Sequence, residues 1–596
     1  MLYLAARLLD AAAPDDAGKL LHVRVPMRDG VHLDTNIYHS AGIGRFPTIL
    51  IRTPYGKGDD LPAGYLSFIK HGYAVVMQDV RGRYLSEGTF DALEQEGPDG
   101  YDTLDWIAHQ PWSDGKVGMI GGSYLGIVQW KVALLNSPYL KAIFPVVSGD
   151  DDYLDRFYSP GGAMKLGHRL LWLSENLRAP SFQRPDFHNY IYHLPLRTSD
   201  KVAAGQTLSL FQKALDHPAY DSFWKGMSVR EKLEHIHVPV FAVGGWYDNY
   251  AESDLAAFSA LTRGAKGSEN HRIMIGPWPH NMSVKFNGID FGNDASAPVR
   301  AYQIEWFDHW LKGSPELGHH HAAGAWHEVR SELAEAPVEI FVMGINRWRD
   351  EQEWPLARTR YTPFYLNGKG HANGSKSDGA LDWEPPRKTK QDTYTYDPKN
   401  PVPTLGGAVC CNPKIFPWGP MDQRPVERRD DVLVYTSTPL QREIEVTGPI
   451  RVVLYVSTSA PDTDFTAKLV DVFPSGEARN LTDGILRLRY RTGLDKVALA
   501  HPGEVYPVTI DAGVTSNVFL PGHQIRVEIS SSNFPRFDRN LNSGGRVADE
   551  KILRKAFETV YHGKKYPSRI VLPVIPEATV TTALRHVPNS TLAKAR

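Results

Sequence analysis

The hydrophobic and polar positions in the first quarter of the chain follow two repeating patterns. Apolar runs typical of strands lie at 46–55, 72–82 and 116–123, and helical spacing is found at 97–109 and 124–136. Residues 22–38 read as two strands joined by a turn at Asp29-Gly30. Because strands that alternate with helices form mainly parallel sheets covered on both faces, the pattern predicts an α/β domain.

Two later segments, 238–250 and 271–282, repeat the pattern of an apolar strand that ends in a polar loop. The stretch between the first block and these segments is rich in Trp, Tyr, Leu and charged residues, and its spacing is helical. We therefore predict that a helical cap is inserted into the α/β domain.

The pattern changes again towards the carboxyl end. A polar stretch with many Gly and Ala residues is followed by short alternating runs separated by Pro, Gly, Asn and Asp, which is typical of a β-sandwich or jelly roll. The predicted division is the α/β domain at 1–149 and 236–315, the cap at 150–235, a linker at 316–336, and an all-β jelly roll at 337–596.

Length, charge and hydropathy narrow the functional classes. A chain of 596 residues is expected to form two or three domains, and a net charge of -2 gives no sign of a nucleic-acid-binding surface. No run approaches the roughly 18 uncharged apolar residues that cross a bilayer. The first 14 residues lack a basic start and are interrupted by Arg7 and Asp10, so we predict no signal peptide, no membrane association and a cytoplasmic location.

The two cysteines of the chain, Cys410 and Cys411, are adjacent. They cannot build a disulfide framework, and we predict two ordinary thiols at a domain edge in a reducing compartment. A vicinal disulfide is the alternative.

Ser123 has the sequence context of a catalytic nucleophile. It follows an apolar strand, precedes a helix, and is flanked by Gly121, Gly122 and Gly126. In the α/β-hydrolase fold, such a serine occupies a strained turn that projects its hydroxyl at the edge of the sheet, beside the amide groups of the helix N-terminus. The usual motif is G-x-S-x-G, whereas here Leu125 stands in place of the second glycine, and an ordinary Gly-rich turn is the structural alternative.

Asp248 and His280 complete the order serine, acid, histidine that this fold uses. Each follows a predicted strand, so each is expected at the carboxyl edge of a parallel sheet, close to Ser123. An imidazole activates the serine hydroxyl, and a carboxylate fixes the imidazole tautomer. The positions therefore predict a catalytic triad.

For the other candidate acid and for a cluster of histidines, we predict structural roles. Asp79 precedes the nucleophile in sequence, and an ion pair with Arg81 or Arg83 explains it more simply. The histidines at 319–321 and His327 lie in a Gly/Ala-rich segment, where a solvated loop is a simpler explanation than a metal site. We predict neither a metal nor a cofactor.

Several segments together resemble one family: MRDGVHLDTNIY, RTPYGK, DVRGRYLSEG, DGYDTLDWIAHQPWSDGKVGMIGGSYLG, GGWYDNY, GPWPH and YHGKKYPSRIVLPVIP. They are similar to the family of cocaine esterase, glutaryl acylase and α-amino-acid ester hydrolase, whose fold is shared with the X-prolyl dipeptidyl-peptidases. The resemblance covers nearly the whole chain and accounts for Leu125. It implies an oxyanion hole formed by the backbone N–H of Tyr124 and the hydroxyl of Tyr55, a chemically sensible pair of donors.

The resemblance leaves the substrate open. In the amino-ester branch, acidic residues two and three positions after the triad aspartate receive an ammonium group, whereas Tyr250 and Ala251 stand here. This favours an uncharged or aromatic acyl group, although Glu252, Asp254 or the acidic run 150–152 could supply a carboxylate. For that run, a solvated helix start is the simpler explanation.

We predict a hydrolase of small-molecule esters or amides that forms an acyl-serine intermediate. Its pocket is expected between cap and α/β domain, lined by Trp246, Tyr250 and Trp172. An X-Pro dipeptidyl-peptidase or an α-amino-acid ester hydrolase is the alternative within the same chemistry. A non-catalytic binding protein that uses the jelly roll is the alternative of another class. The oligomeric state, including a homo-oligomer, stays open.

Overall fold

The structure is a computed structural model that describes residues 19–41, 44–263, 268–314, 336–374 and 377–576. The first 18 residues, almost all of the predicted linker at 316–336, the histidines at 319–321 and His327 lie outside the described residues.

A mainly parallel sheet organises the amino-terminal half. Its strands are β1 (Lys19–Pro26), β2 (His32–His39), β3 (Phe46–Thr53), β4 (Ala74–Asp79), β5 (Ser113–Gly122), β6 (Leu140–Val146), β7 (Phe241–Tyr247) and β8 (Arg272–Pro279), with a small separate hairpin of β9 (Lys285–Phe286) and β10 (Ile289–Asp290). The order is β1-β2-β4-β3-β5-β6-β7-β8, antiparallel up to β4 and parallel from β4 onward. The carboxyl ends of β5, β7 and β8 therefore open on one edge.

Helices cover this sheet and form the cap. They are α1 (Leu66–Lys70), α2 (Glu96–Ala108), α3 (Tyr124–Ala133), α4 (Leu166–Asn176), α5 (Phe187–Ile191), α6 (Ser199–Ala204), α7 (Ser209–Asp216), α8 (Ser222–Met227), α9 (Ala251–Leu261) and α10 (Val299–Lys312). The helices α4 to α8 all lie between β6 and β7, which is the insertion that the sequence predicts at 150–235. The α/β fold with an inserted cap is confirmed.

A second sheet builds the carboxyl-terminal half. Its strands are β13 (Arg360–Asn367), β14 (Ala380–Asp382), β15 (Lys390–Tyr396), β16 (Leu433–Thr436), β17 (Ile444–Thr458), β18 (Asp464–Val472), β19 (Ala478–Arg487), β20 (Tyr506–Phe519), β21 (Gln524–Ser530), β22 (Ala556–His562) and β23 (Arg569–Ile575), with the short helix α11 (Arg424–Glu427). Almost all pairings are antiparallel, and one continuous apolar cluster fills the interior. This is the predicted all-β unit.

The boundary between the two halves differs from the predicted one at 337. Strand β11 (Val338–Val342) pairs in parallel with β8, and β12 (Arg347–Glu351) pairs with β11, so both extend the first sheet. Every residue of β11 is buried. A continuously buried strand suits a parallel sheet covered on both faces, whereas a sandwich strand alternates between core and solvent.

Among the described helices, none is both long enough and apolar enough to span a membrane.

Candidate active site

Ser123 lies in a sharp turn between β5 and α3. Its backbone adopts φ 57° and ψ -123°, a strained conformation for a residue with a side chain. The turn is held because the Ser123 N–H donates to the Val146 carbonyl at 2.9 Å, and the Ser123 carbonyl accepts from the Gly126 and Ile127 amides. The strain therefore sits at the residue that the sequence singles out.

Two glycines make this turn sterically feasible. A Cβ atom on Gly121 would lie 2.4 Å from the Cβ of Leu125, and one on Gly126 would lie 2.5 Å from the Cβ of Ser148. Both contacts are closer than packed atoms allow. The close approach of Ser148 therefore requires glycine at position 126, one position later than in the usual motif.

His280 lies between Ser123 and Asp248. Its Nε2 is 3.0 Å from the Ser123 Oγ, and its Nδ1 is 2.7 Å from an Asp248 carboxylate oxygen. An ionised carboxylate can only accept, so Nδ1 carries the proton and Nε2 is free to accept the serine hydrogen. The second Asp248 oxygen accepts from the Tyr250 N–H at 3.1 Å, which fixes the carboxylate.

Tyr55 presents its hydroxyl towards Ser123. The Trp172 indole N–H donates to the Tyr55 oxygen at 3.0 Å, so the phenolic hydrogen stays available to donate elsewhere. The residue as a whole is 37% exposed, but its hydroxyl is enclosed, and this burial raises the pKa of Tyr55 to about 12. Tyr55 is therefore a neutral donor over the whole range in which a serine hydrolase works.

Tyr124 is the first residue of α3, so its backbone N–H is one of the first-turn amides that find no acceptor within a helix. Its side chain is anchored in the opposite direction, because the hydroxyl donates to Glu96 at 2.7 Å and accepts from the Leu93 N–H. Glu96 in turn pairs with Arg52 at 3.0 Å. The anchored ring stacks on Trp172 with centroids 6.0 Å apart.

A small cavity opens beside Ser123. It is lined by Tyr55, Ala92, Leu93, Ser123, Tyr124, Ile127, Arg156, His168, Arg169, Trp172, Leu210, Tyr250 and Cys411. The α/β domain, the cap and the carboxyl-terminal half all contribute to it. Of the three aromatic residues predicted to line the pocket, the structure places Trp172 and Tyr250 here.

Trp246 lies elsewhere. Its indole N–H donates to the Phe341 carbonyl of β11 at 2.7 Å, and the residue lines a second cavity to which Asp248 also contributes. The reason is the pairing of β11 onto the first sheet, which turns the neighbourhood of β7 into a packed interior. The predicted role of Trp246 as a wall of the Ser123 cavity is thus not supported by its position.

Asp79 does not make the predicted ion pair. Arg81 pairs with Asp99 at 2.6 Å and with Asp29 at 2.7 Å, and Arg83 donates to the Pro54 carbonyl. Asp79 instead accepts from the Lys57 N–H at 2.7 Å, and burial raises its pKa to about 6.

The acidic run 150–152 is structural, but it is buried rather than solvated. Asp152 pairs with Lys131 and Arg156, Asp150 pairs with Arg230, and Asp151 caps the following helical turn. None of the three lines the Ser123 cavity. The three carboxylates therefore stabilise the base of the cap.

Glu252 and Asp254 also turn away from the Ser123 cavity. Asp254 accepts from the Gly149 N–H, and burial together with the Asp248 charge raises its pKa well above the usual range. Glu252 lines the second cavity, where burial and the carboxyl of Asp511 on β20 raise its pKa to about 8. Neither acid is placed to receive a substrate ammonium group beside Ser123.

The Glu252–Asp511 contact predicts a pH-dependent stability. Glu252 keeps its proton up to about pH 8 when folded but loses it near pH 4.5 when unfolded, so stability should fall as the pH rises between these values. We expect Glu252→Gln, which cannot ionise, to gain about 1–3 °C in melting temperature relative to the wild type between pH 5.5 and 8.5. Thermal unfolding at each pH measures this difference.

The control for this prediction is Glu234→Gln, because the Glu234 side chain is 69% exposed. Its melting curve should follow that of the wild type at every pH. If the melting temperature of Glu252→Gln also changes with pH in parallel with that of the wild type, the raised pKa of Glu252 is contradicted.

The prediction of two free thiols is wrong, because Cys410 and Cys411 form a vicinal disulfide. The sulfurs lie in one group with a ring nitrogen of His168, all within 4.8 Å, and this is the one set of metal-ligand type found among the described residues. In the disulfide state the sulfurs are joined to each other and are poor ligands. The pair instead places Cys411 in the wall of the Ser123 cavity.

The sequence reasoning missed Arg156, His168 and Arg169 as cavity residues. A signal for Arg169 was present, since it precedes Trp172 by three positions in a helical stretch and so shares its face. Arg156 lies in a short π-helical turn at Asp152–Phe157 and gave no such signal.

Comparison with known proteins agrees with the fold and with a hydrolase. The X-Pro dipeptidyl-peptidase (S15) family matches residues 29–282, and the C-terminal non-catalytic domain of X-Pro dipeptidyl-peptidases matches residues 333–571. The chain is 40% identical over 583 residues to the cocaine esterase of Rhodococcus sp. (strain MB1 Bresler), covering 93% of this chain and 98% of the relative.

Two solved structures are similar over nearly their full length. The aminopeptidase of a marine sediment Thaumarchaeota archaeon superposes with a TM-score of 0.81, and an α-amino acid ester hydrolase with a TM-score of 0.80. In both cases the sequences are 26% identical, and 96% of this chain and 99% of the other are covered.

Proposed function

The chain belongs to the X-Pro dipeptidyl-peptidase (S15) family of hydrolases, and from this we propose that it cleaves carboxylic esters through an acyl group on Ser123. The observation that carries the proposal is the relay from Ser123 through His280 to Asp248, with contacts of 3.0 and 2.7 Å. A strained serine beside such a relay has one evident use, which is nucleophilic attack on a carbonyl carbon.

In the first half of the reaction, His280 Nε2 takes the hydroxyl proton while Ser123 Oγ attacks the substrate carbonyl. The negative charge that develops on the carbonyl oxygen is stabilised by the Tyr55 hydroxyl and the Tyr124 N–H. His280 then gives its proton to the leaving alkoxide, so an alcohol departs and the acyl group stays on Ser123.

Water completes the cycle. His280 Nε2 accepts a proton from water, the hydroxide attacks the acyl carbonyl, and the same two donors hold the second oxyanion. The proton returns to Ser123 Oγ as the acid leaves. Asp248 stabilises the charged imidazolium in both halves without accepting its proton.

The proposed role of Tyr55 gives a strong prediction. Tyr55→Phe removes one oxyanion donor but keeps the ring, so we expect kcat to fall about 10²–10³-fold with KM nearly unchanged. Steady-state kinetics on a short-chain p-nitrophenyl ester measure both constants. Since the pKa of Tyr55 is raised to about 12, ionisation of this donor should not reduce wild-type activity below about pH 11.

Tyr158→Phe is the matched control, because the Tyr158 hydroxyl is buried in the cap and donates to the Ala214 carbonyl at 2.9 Å. It should lower stability and leave kcat within about threefold of the wild type. A Tyr55→Phe variant that keeps wild-type kcat would show that the tyrosine does not stabilise the oxyanion.

The two related activities make different demands on the cavity. A dipeptidyl-peptidase or an α-amino-acid ester hydrolase must bind a substrate with a free ammonium group, and a carboxylate near the serine is the natural partner for that charge. Within the part of the chain that the structure describes, no residue that lines the Ser123 cavity carries a carboxylate. This supports an ester without an ammonium group as the substrate.

The proposal is tested by comparing p-nitrophenyl butyrate with alanyl-prolyl p-nitroanilide. We expect a much higher kcat/KM for the ester, with a burst of p-nitrophenol equal to one per active site if deacylation is slow. A higher kcat/KM for the dipeptidyl anilide would overturn the ester assignment and favour the peptidase.

Several further expectations stay predictions. They are the cytoplasmic location, the lack of nucleic-acid and membrane partners, and the use of a small-molecule substrate without a cofactor.

A further inference from the structure

Three side chains at the wall of the Ser123 cavity have no part in the proposed chemistry. They belong to Cys410, Cys411 and His168, and the two sulfur atoms and a ring nitrogen all lie within 4.8 Å of one another. Cys411 and His168 line the cavity, whereas Cys410 is 1% exposed. Thiolate sulfur and imidazole nitrogen are the ligands that Zn²⁺ prefers in proteins. This Cys–His cluster therefore has the composition of a metal site.

Stability does not explain the disulfide between Cys410 and Cys411. A cross-link stabilises a protein mainly by restricting the unfolded chain, and the restriction grows with the length of the loop that it closes. Adjacent residues close the shortest loop possible, so this cross-link restricts the unfolded chain very little. Breaking it should therefore leave the fold intact.

The loop that carries the cysteines is held by contacts of its own. Gly407 and Gly419 exchange two backbone hydrogen bonds of 2.7 and 3.0 Å, which close the base of the loop. Val409, Phe416 and Trp418 of the same loop form a small buried apolar cluster. Because these contacts do not involve the disulfide, the loop should keep its position when the disulfide is reduced.

His168 is held beside this loop by the cap. It lies in the first turn of α4, where the Gly167 N–H donates to the Pro535 carbonyl at 2.8 Å. Near the other end of α4, the Asn412 amide donates to the Glu175 carboxylate at 3.3 Å. The helix is thus bonded to the carboxyl-terminal half at both ends. The His168 ring, which is 4% exposed, therefore stays close to the sulfurs.

Reduction converts the two cysteines into metal ligands. A thiolate of a dithiol reductant attacks one sulfur, the bond between Cys410 and Cys411 breaks, and the other sulfur leaves as a thiolate. The second thiol of the reductant then displaces the mixed disulfide, so the reductant ends as a cyclic disulfide and the protein gains two thiols. The sulfurs can then move to about 3.8 Å apart, as two Zn–S bonds of about 2.3 Å at a tetrahedral angle require.

We propose that the Cys–His cluster binds a soft divalent metal ion, such as Zn²⁺, once its disulfide is reduced, and that the bound ion obstructs the Ser123 cavity. The three protein ligands leave the fourth tetrahedral position to water. Metal binding at this site does not depend on the proposed ester hydrolysis, whereas its effect on activity does. The expectation of no metal then holds for the disulfide form alone.

The neighbouring arginines are compatible with a bound metal ion. The two thiols lose their protons to solvent as the metal binds, so two negative charges match the two positive charges of the ion. The occupied site is thus neutral beside Arg156 and Arg169, which line the same cavity. Arg169 donates to Nε2 of His168 at 3.3 Å, a long hydrogen bond that a metal ion can replace.

The first step of the test needs no variant. Wild type is compared in its disulfide form and after reduction with a dithiol, which is then removed in the absence of oxygen. Alkylation after denaturation should detect no free thiol in the first form and two in the second, since the chain has two cysteines. Equilibrium dialysis should show one Zn²⁺ per reduced chain, bound at least about 100-fold more tightly than to the disulfide form, because the loss of even one supporting group costs about 10–100-fold.

Variants then identify the ligands. The double variant Cys410→Ser, Cys411→Ser should lack the tight site, and His168→Gln should weaken it at least about 10-fold. His271→Gln is the matched control, because His271 is 6% exposed and lines neither of the two cavities described above. It should leave the affinity unchanged. With Co²⁺ in place of Zn²⁺, the reduced wild type should show thiolate-to-metal charge-transfer absorption that the disulfide form lacks.

Activity shows whether the ion obstructs the cavity. Zn²⁺ should lower kcat/KM of the reduced wild type for p-nitrophenyl butyrate at least about 10-fold, EDTA should restore it, and the disulfide form should not respond to the same Zn²⁺ concentration. A tight site with unchanged kcat/KM overturns the obstruction.

Three results overturn the metal site itself. They are a disulfide that yields no thiols in the folded protein, equal Zn²⁺ affinity of the two forms, and a tight site that survives His168→Gln. If neither form cleaves the ester, the proposed function fails, while the dialysis result still decides the metal site.

Discussion

Replacing Ser123 with alanine is expected to lower kcat for ester hydrolysis about 10⁵–10⁶-fold while leaving the fold intact. The variant lacks the only atom that can form the acyl intermediate at this turn, and alanine fits wherever serine fits. The residual rate should come from the oxyanion donors and substrate binding alone. Steady-state kinetics with high enzyme concentrations measure the loss, and circular dichroism checks the fold.

Ser259→Ala is the matched control, since Ser259 is buried in α9 and donates to the Leu255 and Trp354 carbonyls. It should keep wild-type kcat. Retention of more than about 1% of wild-type activity in Ser123→Ala would contradict a covalent role for Ser123, because nothing else at this position can replace the hydroxyl.

Asp248→Asn is expected to lower kcat about 10⁴-fold. An asparagine amide can donate to His280 Nδ1, which would force the imidazole into the tautomer with hydrogen on Nε2. That nitrogen could then no longer accept the Ser123 proton. The substitution changes neither size nor shape, so KM and melting temperature should change little. In this variant His280 can no longer act as the base. We therefore expect kcat to rise at high pH only if hydroxide accepts the Ser123 proton instead.

Asp254→Asn is the control. Asp254 is buried near Asp248, and burial together with the Asp248 charge raises its pKa well above the usual range. Asparagine keeps the shape of the side chain and an oxygen that can accept from the Gly149 N–H, so the activity of this variant should stay within about threefold of the wild type. If the two variants lose activity equally, the relay is not specific to Asp248.

The proximity of Ser123, Asp248 and His280 could be predicted because the position of each depends on local pattern and chain order. Ser123 follows a strand and precedes a helix, and Asp248 and His280 each follow an apolar strand. Parallel strands bring their carboxyl ends to one edge whatever the details of packing. Tyr55 could not be found in this way, since nothing local separates it from other loop aromatics, and its proposed role came from the family resemblance.

The rest of the cavity depends on tertiary packing that local pattern does not encode. Trp246 was expected in the pocket because it is aromatic and near Asp248, but its indole bonds to Phe341 of β11, which is 95 residues away in sequence. Arg169 lines the Ser123 cavity because α4 of the cap contributes to its wall. Cys411 reaches it because a loop of the carboxyl-terminal half meets the cap. Such long-range contacts become visible only in the structure.

Labelling with a fluorophosphonate tests the central claim most directly, because this reagent reacts only with a serine that a neighbouring base has activated. We predict a single adduct on Ser123, located by peptide mass spectrometry, together with complete loss of esterase activity and no labelling of Ser123→Ala or of denatured wild type. An adduct on another serine, or full activity after Ser123 is labelled, would contradict the assignment of Ser123 as the nucleophile.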